Sequence, residues 1–466
     1  MLRLFWCATL VFFACAATSF AASESERIEL SARRAAGDLT RVTIQIEAGG
    51  HTLVRAESDA DAKQPEQKLP MSVSAKLEYD ERCLAPFTPG LADGTKLAVR
   101  YYDQAEAVIK VDSSGRAPKL ADDRRLIVSE ASADRPLLYC PDGALTREQL
   151  DLIDIVGDSV ALDRLLPVGA VAKDDSWTNE AAVMGPLLTL DSVAVCEVKS
   201  VLESFNESFA KVRLAGTVQG TADGAATELE VRAVYLFDRR SHRVAKLNLA
   251  VRERRSIGGA TPGVDAVAKL QIQVLPLEKS SQLDDSTIAE ATAAARHANG
   301  DLVYESGPLG LRFNHDRHWF VTSERREAVT LRRVDRSDLV AQCTLAALPA
   351  KSAGRQTSLE QFQQDITYSL GKSFGELVSS RQWQNTAGLY CYELVARGLV
   401  EEVPVEWRYF LLAPASGERV SAAITLEKPM VDRIGKADRE LIESLELFPR
   451  MPAAQTATVP TKRQVK

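Results

Sequence analysis

The chain has no C-x-x-C pair, only five histidines among 466 residues, and no run of about 18 apolar residues beyond its first twenty positions. The first absence removes the usual zinc-ribbon and thioredoxin-like readings. The second leaves few nitrogen ligands for a metal centre, and the third leaves no transmembrane helix in the mature chain. A surplus of basic charge is also missing: the formal net charge is −7. Discarding Arg3 and the cations Arg450, Lys462, Arg463 and Lys466 makes the folded part more acidic still. Nucleic acid is therefore not expected as a partner, since neutralising phosphates needs Lys and Arg massed on one face. No glycine stands five positions before Gly371 of Gly371-Lys372-Ser373, where a phosphate loop requires one, because Ile366 is there. The acidic stretch Glu57 to Glu66 lacks EF-hand spacing and reads as a loop.

What the chain does have is an address. Arg3 precedes an almost wholly apolar stretch from Leu4 to Ala17, and Ser19-Phe20-Ala21 places small residues at −3 and −1 of a signal-peptidase cut. Residues 1–21 are read as a signal peptide, the mature chain as starting at Ala22, and the protein as exported, periplasmic or secreted. A lipoprotein reading would use Cys15 after Ala14, although Phe12 stands where a lipobox carries Leu. Removing the leader leaves Cys83, Cys140, Cys196, Cys343 and Cys391, an odd number. Cys343 and Cys391 could pair in an oxidising compartment, or stay as buried thiols.

From residue 22 to 278 period-two alternation dominates. Leu229, Val231, Ala233, Tyr235 and Phe237 alternate with polar neighbours, and Ala245, Leu247, Leu249 and Val251 repeat the pattern, which predicts antiparallel strands with one buried face. If Asp238 opposes His242, Glu228 opposes Arg252. Further strands are expected near Arg41–Ile46, Met71–Tyr79, Lys96–Tyr102, Ala107–Val111 and Arg124–Val128. Thr146 with Gln149 spells a capping box ahead of Leu150 and Ile153, and a second helix is expected near Ala181–Leu190. Residues 279–300, alanine-rich and closed by Asn299-Gly300, read as a helical linker. From 301 to 448 strands return around a helix bearing Leu359, Phe362, Ile366 and Leu370, with Thr357 and Glu360 as its capping box. A last helix carries Leu441, Ile442 and Leu445. The tail 449–466 reads as disordered.

Gly310-Leu311-Arg312-Phe313 with Asp316-Arg317-His318-Trp319, then Leu359-Glu360-Gln361-Phe362, then Val405-Glu406-Trp407-Arg408-Tyr409-Phe410, resemble the PsbP-like and Mog-like superfamily. The resemblance implies an α/β/α sandwich and a binding or assembly role. Leu165-Leu166-Pro167 followed by Asp174-Asp175-Ser176-Trp177 resembles uncharacterised exported bacterial β-proteins, with Asp174 where those carry Gly. A sheet with helices on one face is also similar to LolA, implying a concavity for acyl chains. The expected fold class is thus α+β: an antiparallel β-rich domain with a few helices, a helical linker and a PsbP-like α/β/α domain.

Candidate chemistry is sparse. Gly371-Lys372-Ser373-Phe374-Gly375 spells G-x-S-x-G, but a helix precedes it and a strand follows, the reverse of a nucleophile elbow. His315 and His318 flank Asp316 in a polar hairpin. Arg239-Arg240 and Arg252-Glu253-Arg254-Arg255 are balanced by acids on the neighbouring strand. Trp177, Trp383 and Trp407 fit sheet packing or a ligand groove. No catalytic, cofactor-binding or metal residues and no cofactor are assigned. The expectation is a non-enzymatic binding or assembly factor, contacting an unknown protein partner or cell-envelope component. The alternative is a carrier of an apolar ligand, a lipid or lipoprotein acyl chain, in the β domain.

Overall fold

The computed structural model describes residues 26–55, 66–86, 97–131, 136–295, 300–352 and 357–450. The leader, the cut before Ala22, Cys15, the acidic stretch through Pro65 and the tail beyond Arg450 lie outside them. In chain order the first strands are β1 (Arg27–Glu29), β2 (Leu39–Val54), β3 (Gln67–Ala85), β4 (Leu97–Val111), β5 (Ser114–Arg116), β6 (Leu126–Ala131) and β7 (Pro136–Tyr139). Helix α1 (Arg147–Ile153), strands β8 (Ala170–Ala172) and β9 (Ser176–Asn179), and α2 (Ala181–Leu187) follow. Five long strands complete this half: β10 (Ser192–Phe205), β11 (Phe209–Ala222), β12 (Ala225–Asp238), β13 (Arg243–Arg255) and β14 (Gly263–Leu277).

Apart from β1 and β8, which pair with each other as a separate two-stranded sheet, these strands form one antiparallel sheet in the order β7-β6-β4-β3-β2-β14-β13-β12-β11-β10-β9, with β5 paired to β4. Alternation decides which face is buried. Along β12, Leu229, Val231, Ala233, Tyr235 and Phe237 are buried, while Glu228, Glu230 and Arg232 are exposed. Asp223 and Gly224, both at positive φ, form the two-residue turn joining β11 to β12, the geometry that Asp-Gly favours. The β12–β13 register differs from the expected one: Asp238 opposes Arg243, Glu230 opposes Arg252 and Glu228 opposes Arg254. A bulge at Leu236/Phe237 and a left-handed His242 (φ 50°) shift the ladder. The two strands expected at 96–102 and 107–111 are one, β4.

The chain between β7 and β10 crosses the apolar face of this sheet. Thr146 caps α1 with Gln149 in the expected reciprocal box. Residues 279–300 do not form a free connector: α3 (Asp285–Ala295) is docked on the sheet. Leu283 and Ala291 are buried with Val99, Val128 and Tyr139. Ser280 Oγ donates to Asp80 Oδ2 at 2.7 Å, and Arg82 binds the Leu283 carbonyl and Asp285.

Beyond the linker, β15 (Leu302–Ser306) and β16 (Leu311–His315) pair with a short late strand. Strands β17 (Trp319–Glu324), β18 (Ala328–Asp335), β19 (Asp338–Leu348), helix α4 (Leu359–Leu370), β20 (Phe374–Gln384), β21 (Tyr390–Val400), β22 (Val403–Ala413), β23 (Arg419–Glu427), α5 (Ala437–Glu443) and β24 (Glu446–Leu447) follow. The main sheet is antiparallel, ordered β17-β18-β19-β23-β22-β21-β20.

The α/β/α sandwich expected over 301–448 is overturned: this region, like the first, is predominantly antiparallel β with few helices. The helix signals are real, but α4 has 12 residues and α5 has seven. A 12-residue helix is about 18 Å long and spans roughly four strand spacings, so neither helix makes a layer over seven strands. Phe362, Ile366 and Leu370 of α4 pack mainly over β21 and β22, against Leu394, Leu411 and Trp407, and meet only Leu348 at the end of β19 and Phe374 at the start of β20 beyond them. Its N-cap is also displaced by one residue. Ser358, not Thr357, accepts from the Gln361 amide, and Thr357 is buried against Arg419.

Candidate functional site

Two constellations stand out, one on the sealed face of the first sheet and one open to solvent on the second.

The segment after β7 packs on the apolar face of the large sheet. Helix α1 lies on β4, the turn Leu162–Leu165 lies on β13, and α2 lies on β10. Between them Gly157 (φ +83°) brings its backbone so close to β14 that an added Cβ would lie 2.6 Å from Ile272 Cδ1. Leu162, Leu165, Met184 and Leu187 belong to one buried cluster with Leu229, Val231, Leu247 and Leu249 of the sheet. Tyr235 donates its hydroxyl to the Leu165 carbonyl at 3.0 Å, and the Trp177 indole reaches the same oxygen at 2.9 Å. Asp174, ahead of Asp175-Ser176-Trp177, stands at φ 69°, a left-handed conformation Asp tolerates better than most residues.

A charged network pins this segment from below. Arg100, 1% exposed, donates Nε to Glu81 Oε2 at 2.9 Å and both terminal nitrogens to Asp158, at 2.9 and 2.6 Å. Ser159 Oγ donates to Glu81 Oε2 at 2.6 Å and lies 2.9 Å from the Tyr79 hydroxyl. Arg34 bonds Glu81 Oε1 at 3.2 Å, and its Nε lies 2.6 Å from Asp163 Oδ2. Burial pushes the Tyr102 hydroxyl up to about 12, with the Arg100 charge pulling it partly back, and drives Tyr79 up for the same reasons. A serine beside a carboxylate is chemically suggestive, yet Ser159 is 0% exposed and Glu81 1%. The arrangement therefore clamps two layers together and offers no approach to a substrate.

The open site lies at one end of the second sheet. The start of β20 and the β21–β22 hairpin enclose a crevice of about 420 Å³, lined by Glu376, Arg397, Leu399, Val405, Glu406 and Lys428 among others. Its floor is electrically closed: Glu406 accepts from Arg397 at 2.9 Å and from Arg408 at 3.0 Å, and Arg408 reaches Asp438 at 2.6 Å. No serine, cysteine or histidine is among the lining residues. Leu399 of the lining and its neighbours in the chain Leu377, Val378, Val400 and Val403 are each roughly 40–55% exposed. An apolar rim over a neutralised floor suits a docked side chain better than bond-making chemistry.

The residues singled out from the sequence do not converge. Gly371 (φ +52°) ends α4 and Phe374 begins β20, so the G-x-S-x-G run is a helix stop. His315 is buried with Nδ1 2.8 Å from the Asp316 carbonyl, and burial holds its pKa down at about 4; His318 is exposed. Among the described residues no group of three or more His, Cys, Asp or Glu could hold a metal. Arg252 pairs with Asp265, Arg254 with Glu228, and Arg255 with Asp223. Trp383 and Trp407 lie on opposite faces of the second sheet, and Trp177 is in the first. Cys343 and Cys391 are both free and buried, with burial pushing the Cys391 thiol up to about 12. They stand on β19 and β21, three strand spacings apart, about 14 Å against a disulfide reach of about 7 Å.

Both charged constellations were missed at the sequence level, though a signal existed. Glu81, Arg100, Glu406 and Arg408 occupy positions that strand alternation assigns to a buried face.

No family model matches the chain, and no curated protein matches it. Solved structures similar to it include cyanobacterial PsbP from Synechocystis sp. PCC 6803, at 15% identity and TM-score 0.26, over 32% of this chain and 92% of that one. A Bacteroides thetaiotaomicron protein shares 13% identity over 31% of this chain and 47% of its own, at TM-score 0.23. The outer membrane protein OprD of Pseudomonas aeruginosa shares 9% over 85% and 95%, at TM-score 0.12. The likeness to PsbP covers about a third of the chain, and nothing in these likenesses supports the one to LolA. Among the described residues no helix is long and apolar enough to cross a membrane. No family is established for the chain.

Proposed function

We propose that this chain is an exported, non-enzymatic binding or assembly factor of the bacterial periplasm or cell envelope, and that it meets a protein partner through the crevice end of its second sheet. One observation carries the choice over a carrier: the apolar face of the large sheet is covered by the chain's own residues 145–190, packed into the same core as Leu229, Val231, Leu247 and Leu249. A space expected for an acyl chain holds Leu162, Leu165 and Met184 instead. The unsatisfied apolar surface is elsewhere, on Leu399, Val400 and Val403 beside the crevice. Export rests on the leader sequence.

A second reading keeps one support. At the far end of β2, β3 and β4, Met71, Val73 and Ile109 are only half-buried, so a small apolar ligand could rest there.

Native mass spectrometry of complexes from the envelope fraction separates the two, run on the parent and on Leu399→Glu/Val403→Glu. Binding through the crevice predicts a stoichiometric protein partner with the parent that the variant loses while its melt is unchanged. A lipid adduct retained by both, with no protein partner, replaces this proposal with the carrier.

A further inference from the structure

β20 is the last strand of its sheet, and among the described residues it pairs with β21 alone. It is 11 residues long, whereas the other sheet-end strands, β17, β7, β9, β15 and β24, have six or fewer. Long open edges recruit further strands unless Pro, Lys, bulges or cover blunt them. The bulges in β20 fall between Phe374 and Ser379. The remainder, Ser379-Ser380-Arg381-Gln382-Trp383-Gln384, is a regular ladder without Pro or Lys, exposed at every residue but the half-buried Trp383.

The side chains of this stretch complement themselves. Arg381 and Trp383 share the α5-facing side, with the guanidinium 4.4 Å from the ring centre, and Trp383 Nε1 donates to Glu443 at 2.9 Å. An antiparallel copy centred on Gln382 sets Arg381 opposite the second chain's Trp383 and beside its Glu443, then repeats both contacts by symmetry. On the other side Ser380 meets Gln384, a hydroxyl against an amide, and Gln382 meets itself. Odd-numbered residues face odd and even face even, which is the parity an antiparallel pair requires. Centring on Arg381 would instead oppose two like charges.

We propose that the chain forms a two-fold dimer by antiparallel pairing of β20 with a second copy, centred on Gln382, joining two seven-stranded sheets into one. The occupant is a second copy because Arg381, Gln382 and Trp383 each face a complement in the same edge reversed, Arg381 keeping its ion pair with Glu393 and Ser380 its bond from Gln363 within the chain. This interface uses the Gln384 end of β20, whereas the crevice lies at the Phe374 end, so each can fail without the other.

Sedimentation equilibrium of the full chain tests it. The parent is expected to dimerise with concentration, and Gln382→Lys or Gln382→Glu alone to weaken dimerisation by roughly tenfold, since like charges then meet on the axis. Mixing the two variants in equal amounts should restore the dimer as a mixed pair. Gln382 is exposed, so both variants should melt like the parent, which a thermal scan verifies. A parent that stays monomeric to its solubility limit overturns the proposal. So do single variants that dimerise as well as the parent, or a mixture that fails to recover.

Discussion

Replacing Glu81 by Gln should be among the most damaging single changes in the first half of the chain, although it alters no shape. Glu81 is 1% exposed and serves Arg100 at 2.9 Å, Ser159 at 2.6 Å and Arg34 at 3.2 Å. The amide keeps one acceptor but removes the charge that both guanidiniums lean on, and its NH2 turns a donor toward other donors. Removing one partner of a buried ion pair costs about 3–5 kcal/mol, because the charge left behind stays desolvated. For a unit of roughly 250 residues, each kcal/mol moves the melting temperature by about 2–4 °C, so a fall of roughly 6–20 °C is expected. Circular dichroism melts near neutral pH measure it, with Glu230→Gln as the contrast. Glu230 also contacts an arginine, Arg232 at 2.6 Å, but both side chains are exposed, and such pairs are worth at most about 1 kcal/mol. If the two variants melt within about 1 kcal/mol of each other, the network is hydrated and the clamp reasoning is wrong.

Two further outcomes are expected. His315 titrates near 6.5 when unfolded but is held at about 4 by burial, so acidification protonates the unfolded chain first. Stability present above about pH 6.5 is lost progressively as the pH falls through about 4, by about 3 kcal/mol in all, and His315→Gln should flatten that slope in urea titrations at stepped pH. Gly157→Ala forces a Cβ against Ile272 at a positive φ, where an L-residue alone costs about 1–2 kcal/mol. The segment over the sheet should lift, which hydrogen exchange at residues 155–165 would report as lost protection; unchanged protection would mean that the segment is not seated on β14.

The sequence by itself determined the strands and their faces. Leu229 through Phe237 alternate cleanly because each second side chain must leave water, and Asp223-Gly224 is a hairpin turn in any context that joins such strands. The capping box at Thr146 is equally local, requiring only four residues and their backbone. The register of β12 with β13 was not local, since the turn sets Asp238 opposite Arg243 and a bulge at Leu236/Phe237 adds one residue more, so that Glu228 meets Arg254 two places beyond its expected partner. Tertiary structure alone decided that residues 145–190 lie across the sheet and convert a possible ligand space into core, because that depends on which face the chain folds over after β7. It also decided the fate of the charges. Glu81, Arg100 and Asp158 stand far apart in the sequence, and only the stacking of β3, β4 and the overlying segment sets them within hydrogen-bond distance. The short helices α4 and α5 suggested an α/β/α sandwich from their periodicity. Whether a helix becomes a layer depends on how many strands it must cover, and here seven strands outrun it.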